Sequence, residues 1–201
     1  MPALTNDLLV KVCSYITDPV TTTDELIPSG ETSSYRSNPE RLSEFALSRR
    51  DPQYVGRSKE MRAIERDREA GKALPEEVMK VYEALTKAGV ANDPANTDIG
   101  STIFANMPGD GSAVSRPRPA SASWAHPQTS QSSTPPSAIV PTASTGAWTP
   151  FLVENPEVFE LGDYIFVPGI REAVLENKAS FSAYAVKPDA PSPSSLSPPV
   201  R

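Results

Sequence analysis

The chain has 201 residues, of which 38% are apolar, and its 19 basic and 25 acidic residues give it a net charge of −6. This acidic balance argues against a nucleic-acid partner or an anionic membrane surface, because both require clustered positive charge. A single cysteine, Cys13, and a single histidine, His126, exclude a disulfide framework, a structural zinc site and an iron–sulfur cluster ligated by this chain alone. No apolar stretch is long enough to span a bilayer and no signal-peptide pattern is present, so a soluble cytoplasmic protein is expected.

Residues 8–113 have the pattern of an ordinary folded domain and follow a short tail at 1–7. Apolar residues at alternate or helical spacing, together with capping residues and glycine stops, locate the elements. The predicted elements are a buried strand at Leu8–Ile16, a helix that begins at Asn38-Pro39-Glu40, a charged helix at Ser58–Gly71, a helix from Pro75 to Gly89, and a short strand at Ser101–Ala105.

Residues 114–147 differ sharply from the sequence before them. They contain 8 Ser, 6 Pro, 6 Ala and 4 Thr, and no Asp, Glu or Lys. This composition is typical of a disordered linker and predicts neither helix nor strand. The pattern of a folded chain returns over 148–186, and a Pro/Ser-rich tail at 187–201 is expected to fray. The elements predicted there are a strand at Asp163–Val167, a helix at Ile170–Asn177 and a last strand at Ser180–Val186.

The element pattern predicts a mixed α/β domain with the 114–147 segment unstructured. Its core is expected to contain the large apolar residues of the strands and of the helix after Asn38. These are Leu8, Val10, Val12, Tyr15, Ile16, Phe45, Ile103, Phe104, Ile165, Phe166, Val167, Phe181 and Tyr184.

Three polar clusters could carry chemistry, and each also has a plain structural interpretation. Residues 18–25 form a Thr- and Asp-rich loop that can simply cap the next helix or turn. Residues 29–38 surround Arg36 with small polar residues, which suits either a solvated loop or an anion pocket. Residues 109–113 combine two glycines with Ser112, a pattern found in ordinary turns and in backbone sites that approach a ligand closely.

Taken in order, these clusters resemble the C-terminal swivel domain of aconitase-family hydro-lyases, and most of all the bacterial hydratase branch with aconitase-like architecture. Within the stretch from Cys13 to Arg57, Thr22-Thr23-Asp24 is followed by Gly30 six residues later and by Arg36 twelve residues after Asp24. Gly109-Asp110-Gly111-Ser112-Ala113 is similar to the family's Gly-x-Gly-Ser-Ser/Ala motif. Residues 163–172 are also similar to this branch.

The resemblance implies a mixed β/β/α swivel domain of an enzyme that reversibly hydrates a di- or tricarboxylic acid. It implies that Ser112 is the catalytic base, that Asp24 orients groups or relays protons, and that Arg36 binds a substrate carboxylate. The other substrate-binding positions that it implies are Thr22, Thr23, Gly109 and Gly111. A 4Fe–4S cluster, held by domains that are fused to this one or stand on a separate large subunit, would act as the Lewis acid on the leaving hydroxyl.

The chain departs from the family after Ala113, where the expected Arg-Glu is replaced by Val114-Ser115. Shifting the reading frame by one base over Ser115–Ala125 permits Glu-Gln-Ala-Ala-Ser-Cys-Gln-Arg-Val-Leu-Gly, which is similar to the hydratase branch. A second similar string is permitted from about Ser132 to Gly146. A one-base deletion near codon 114, restored near Trp148, therefore explains the Ser/Pro excess and the missing acidic residues. Without the arginine, Ser112 is expected to be inactive as a base.

Three other interpretations stay open. The chain could be the small subunit of a two-chain dehydratase, which pairs with a separate cluster-bearing subunit. It could instead be a non-enzymatic interaction protein whose two folded parts are joined by a true Ser/Pro linker at 114–147. Phosphate binding by Gly109–Ser112 is a weaker alternative, because no lysine follows as a P-loop requires.

Overall fold

The computed structural model describes residues 5–16, 23–35, 38–105, 137–141, 148–152, 160–176, 182–188 and 194–196. These residues form seven strands and six α-helices. The strands are β1 (Asp7–Ile16), β2 (Thr97–Ala105), β3 (Ser137–Pro141), β4 (Trp148–Leu152), β5 (Tyr164–Val167), β6 (Ala183–Val186) and β7 (Ser194–Leu196). The helices are α1 (Thr23–Leu26), α2 (Ser29–Thr32), α3 (Pro39–Ser43), α4 (Tyr54–Glu69), α5 (Glu76–Lys87) and α6 (Ile170–Leu175).

All seven strands belong to one mixed sheet with the order β4-β3-β2-β1-β5-β6-β7. The two longest strands, β1 and β2, run parallel, and every other neighbouring pair runs antiparallel. A parallel pair requires a long crossover, and here the crossover contains helices α1 to α5. The predicted mixed α/β class is therefore confirmed, whereas its assignment to an aconitase-like swivel domain stays a prediction.

Helices α4 and α5 cover one face of the sheet. Helix α5 buries an apolar stripe at helical spacing, which includes Val78, Val81 and Leu85, each fully buried. Its predicted stop is confirmed: Gly89 has φ 74°, and the amide of Val90 donates to the Leu85 carbonyl at 3.0 Å. This face holds the larger core cluster, with Leu9, Met61 and Phe166 among its members.

The opposite face of the sheet forms a second apolar cluster. Alternate residues of β1 (Leu8, Val10 and Val12) lie in it, because side chains along a strand point to opposite faces. Helix α6 contributes Ile170 to this face. Strand β1 is therefore apolar on both faces, as its near-continuous hydrophobic sequence predicts.

Most of the predicted core is confirmed. Phe45, Tyr15 and Tyr184 are only partly buried, and Phe181 lies outside the described residues. The predicted core residues that are buried are Leu8, Val10, Val12, Ile16, Ile103, Phe104, Ile165, Phe166 and Val167.

Two short strands lie where the sequence predicted no regular structure. Ser137–Pro141 of the 114–147 segment forms β3, which pairs with β2 and β4. Ser194–Leu196 of the 187–201 tail forms β7, so β6 is not the last strand. Ile139 and Val140 are strand-forming residues that a composition averaged over 34 residues conceals. The prediction that 114–147 and 187–201 are unstructured is therefore wrong for Ser137–Pro141 and Ser194–Leu196. Elsewhere in these two segments the structure describes only residues 187 and 188.

Two predicted elements begin four residues earlier than the sequence predicted. Helix α4 begins at Tyr54 rather than Ser58, and its first turn buries Tyr54. Strand β2 begins at Thr97 rather than Ser101. The added residues Thr97-Asp98-Ile99-Gly100 carry little apolar signal, and they are held in the sheet by pairing with Asp7–Val10 of β1.

The predicted N-cap at Asn38 is confirmed. Its side-chain oxygen accepts a hydrogen bond from the amide of Arg41 at 3.1 Å, and Pro39 occupies the first position of α3. Replacing Asn38 with alanine is expected to lower the free energy of unfolding by about 1 kcal/mol, because the amide of Arg41 loses its partner. Chemical denaturation measures this, with Asn38→Asp as the control that keeps a capping oxygen. Equal losses in the two variants would show that the cap contributes nothing.

Candidate functional site at the carboxyl edge of the parallel strands

The carboxyl ends of the two parallel strands lie side by side. The last residue of β1, Ile16, is paired in register with the last residue of β2, Ala105. The chain therefore leaves both strands at adjacent points of the same sheet edge. In open α/β sheets, ligands bind outside the carboxyl ends of parallel strands, so this edge is the candidate site.

The segment after β1 leads to Asp24, the one predicted catalytic residue whose side chain the structure describes. Asp24 lies in the first turn of α1, and its side chain is exposed to solvent. Thr23 begins the same helix. Gly30 is exposed in α2, and nothing lies within 4 Å of the position that a Cβ would occupy, so the structure shows no close approach there.

The other predicted site residues lie outside the described residues. Their roles as catalytic base or as contacts to substrate stay predictions. They are Thr22, Arg36, Gly109, Gly111 and Ser112.

Just before the edge, β1 contains a β-bulge. The register between β1 and β2 shifts between Val12 and Ser14, which leaves Cys13 as the extra residue. The carbonyl oxygen of Cys13 accepts a hydrogen bond from Arg57 Nε at 2.6 Å. The bulge is therefore attached to the first turn of α4, which lies on the neighbouring face of the sheet.

Asp51 joins the same group of contacts. Its Oδ2 accepts a hydrogen bond from Ser14 Oγ at 2.7 Å and forms an ion pair with Arg57 Nη2. Arg57 Nη1 donates to Gln53 Oε1 at 3.2 Å, so each guanidinium nitrogen has an acceptor. The side chains of Arg57 and Asp51 are 26% and 23% exposed, respectively, which places this pair at the border between core and solvent.

Two groups close to the bulge are held neutral. Burial raises the pKa of the Cys13 thiol to about 12, and Lys11 and Arg57 oppose this shift only in part. Burial also raises the pKa of the Tyr54 hydroxyl, against hydrogen bonds with Ser101 and Ser58. Near neutral pH both groups are therefore protonated, and the Cys13 thiol is a buried apolar group.

A second concave region lies between the start of α5 and the turn before β5. It is a cavity of about 650 Å³, and its lining includes Glu76, Lys80, Glu160 and Lys187. Ion pairs join Lys80 to Glu76 at 3.0 Å and Lys187 to Glu160 at 3.0 Å. A third lining carboxylate, Glu77, pairs with Lys11 at 2.7 Å, so most charges around the cavity have partners within the chain.

Two kinds of feature are absent from the part of the chain that the structure describes. It contains no group of three or more His, Cys, Asp or Glu side chains placed to hold a metal ion. None of its helices is both long enough and apolar enough to cross a membrane.

No family model, curated protein or solved structure matches this chain. The resemblance to aconitase-family hydro-lyases therefore depends on the sequence motifs alone, and the geometry of the sheet edge is an independent observation.

Sequence reasoning missed the Asp51–Arg57 pair and its partner Ser14. Ser14 carried a signal, since it is a small polar residue in an otherwise apolar strand and is only 1% exposed. Such a buried hydroxyl requires a hydrogen-bond partner, but nothing in the sequence identifies a residue 37 positions away as that partner.

Proposed function

We propose that this chain is the swivel domain of an aconitase-like hydratase, located in the cytoplasm. It would supply carboxylate-binding and proton-transfer groups for the reversible hydration of a di- or tricarboxylic acid. The supporting observation is the pairing of Ile16 with Ala105. The two motifs assigned to one active site by the resemblance, Thr22-Thr23-Asp24 and Gly109–Ser112, follow these two paired residues within eight positions along the chain.

The sheet edge explains why such distant motifs could act together. Asp24 and Ser112 are separated by 88 positions in sequence, yet their segments leave the sheet from neighbouring strand ends. In the proposed roles, Arg36 binds a substrate carboxylate, Asp24 orients groups or relays a proton, and Ser112 is the base. Thr22, Thr23, Gly109 and Gly111 complete the substrate-binding positions.

The residues of this chain do not fit an iron–sulfur cluster. Such clusters are held by several cysteine thiolates, whereas this chain has only Cys13, which is 1% exposed with a thiol pKa of about 12. The proposal therefore assigns the 4Fe–4S cluster to other domains of the complete enzyme or to a separate large subunit.

The chain as written is proposed to be catalytically inactive. Activation of a serine hydroxyl requires a neighbouring base or cation that lowers its pKa, and the family places an arginine two residues after this serine. Here that position is Val114. An apolar side chain at Val114 stabilises neither an alkoxide nor a substrate carboxylate.

Carboxylate binding tests this proposal directly. Two forms of the chain are compared by calorimetry with tricarballylate as the probe. One is the sequence as written. In the other, the frame-restored form, 114–147 is replaced by the translation of the coding DNA in the shifted frame, beginning with Arg-Glu. The restored form is expected to bind at least about tenfold more tightly, since one charge-assisted contact contributes about 1.5–3 kcal/mol.

Two substitutions in the restored form make the test specific. Arg36→Gln is expected to remove most of the binding, whereas Arg62→Gln, which removes the same charge from an exposed position of α4, is expected to leave it unchanged. Equal affinity in the written and restored forms, or equal loss in the two substituted forms, would contradict the proposal.

A second candidate function is the non-enzymatic interaction protein. One observation favours it: β3 lies within 114–147 and pairs with Ile103–Ala105 of β2 in the sequence as written. If 114–147 is a functional part of this protein, replacing it with the frame-restored residues is expected to destabilise the chain. If the frame interpretation holds, the same replacement raises the melting temperature.

A further inference from the structure

We propose that Asp51 and Arg57 are a positioning pair that fixes the direction in which the chain leaves β1 toward Asp24. This inference rests on the proposed function, because it concerns how the catalytic edge of the sheet is shaped. Neither residue touches the substrate in this scheme. They act through the last residues of β1.

The bulge at Cys13 lies just before the last residues of β1. An extra residue at Cys13 interrupts the ladder between β1 and β2. Bulges of this kind bend a strand and increase its local twist. Regular pairing resumes at Ser14 and continues to Ile16. The direction of these last residues therefore depends on what holds the bulge as well as on the neighbouring strand.

Arg57 and Asp51 hold the bulge from a different layer of the molecule. Arg57 donates to the Cys13 carbonyl at 2.6 Å, and Asp51 accepts from the Ser14 hydroxyl at 2.7 Å. The ion pair between the two side chains joins these contacts into one unit. Two successive residues of β1 are thus attached to α4 and to the turn before it by charge-assisted hydrogen bonds, which are the stronger class.

The turn before α4 is itself well anchored. The amide of Asp51 donates to the Leu47 carbonyl at 2.7 Å, and the amide of Tyr54 donates to the Asp51 carbonyl at 3.0 Å. Leu47 and Tyr54 are buried, at 0% and 2% exposure. The Asp51–Arg57 pair, called the clamp below, therefore connects the bulge at Cys13 to a turn that is anchored in the core.

The clamp lies close to the candidate site. Ser14 is two residues from the strand end at Ile16, and α1 with Asp24 begins seven residues beyond that end. A change in direction at Ser14 moves the strand end at Ile16, and a displacement of about 1 Å at a site can cost a hundredfold in rate.

The test combines local hydrogen exchange with carboxylate binding in the full chain. In Arg57→Gln and Asp51→Asn, amide exchange at Cys13–Ile16 and Thr23–Leu26 is expected to rise by roughly tenfold to a hundredfold, the equivalent of losing one charge-assisted hydrogen bond. Exchange in α5 is expected to stay unchanged. Arg62→Gln is the matched control, and Arg57→Lys is expected to restore part of the protection.

Binding of tricarballylate by the frame-restored form separates this inference from the proposed function. If the parent binds tricarballylate and Arg57→Gln weakens that binding at least tenfold, while exchange in α5 stays unchanged, the positioning role and the proposed function are both supported. Raised local exchange with no binding by parent or variant supports the clamp and contradicts the proposed function. Unchanged exchange, a uniform rise that includes α5, or measurable binding of equal affinity in parent and variant overturns the positioning role.

Discussion

Replacing Arg68 with methionine is expected to lower the free energy of unfolding by about 3–5 kcal/mol, the cost of leaving buried charges without a partner. Arg68 donates to both carboxylate oxygens of Glu65, at 2.8 and 2.7 Å, and to Asp98 at 3.3 Å. The side chains of Arg68, Glu65 and Asp98 are only 11%, 9% and 8% exposed, respectively. Without Arg68, two carboxylates stay in a poorly solvated position.

The same group of charges also holds the start of β2. Glu65 accepts a hydrogen bond from the amide of Ile99 at 2.9 Å, and Asp98 accepts one from the amide of Thr5 at 3.2 Å. Arg68 Nη1 donates to the carbonyl of Ala95 at 2.9 Å. Arg68→Met is therefore also expected to weaken the pairing of Thr97–Ile99 with β1. Hydrogen exchange at the amides of these residues can localise this effect.

Lys72→Met is the control for the removal of a cation. Lys72 pairs with Asp67 at 2.7 Å, but these side chains are 65% and 48% exposed, so the pair is expected to contribute at most about 1 kcal/mol. Chemical denaturation of both variants provides the comparison. A loss in Arg68→Met no larger than that in Lys72→Met would show that the buried group adds nothing beyond a surface pair.

Leu85→Ala is expected to lower the free energy of unfolding by about 2–5 kcal/mol, from lost apolar burial and from the cavity left in the core. Leu85 is fully buried in α5, in the cluster that packs against Leu9 and Phe166 of the sheet. The range reflects how far the neighbouring side chains can close the space that the substitution leaves.

Met79→Ala in the same helix is the matched control. Met79 has a side chain of similar size but is 41% exposed, so its truncation is expected to change stability by no more than about 1 kcal/mol. Similar losses in the two variants would contradict the arrangement in which α5 turns the face with Leu85 toward the sheet.

The best predicted parts of the fold are those in which local sequence and tertiary packing agree. The apolar run at Leu8–Ile16 forms a strand that is buried on both faces, and α5 ends at the glycine stop as expected. The cap at Asn38 also follows from local chemistry, since the side chain satisfies an amide three residues later.

The parts that were missed depend on contacts between distant residues. The first residues of β2 form a strand because they pair with β1 and because Arg68, 30 positions earlier, binds Asp98. Strand β3 was concealed by the Ser/Pro composition around it. No local pattern indicates that Asp51 and Arg57 meet a bulge in β1, which lies 37 and 44 positions away along the chain.

The candidate site was predictable only in part. The motifs with Asp24 and Ser112 were recognised by their order, and the parallel pairing of β1 with β2 explains how they could share one edge. That pairing cannot be derived from the motifs themselves, because a sequence does not reveal which strands are neighbours. The roles of Thr22, Arg36 and Ser112 stay predictions.

We propose that an aconitase-like hydratase motif ends at Ala113 because the reading frame is displaced over 114–147. Resequencing the coding DNA from about codon 110 to codon 150, with the region upstream of Met1 included, tests this most directly. We expect one missing base near codon 114, so that Arg-Glu follows Ser112-Ala113. A sequence that reads through Val114-Ser115 as written, from an intact gene, would contradict it and favour the interaction protein.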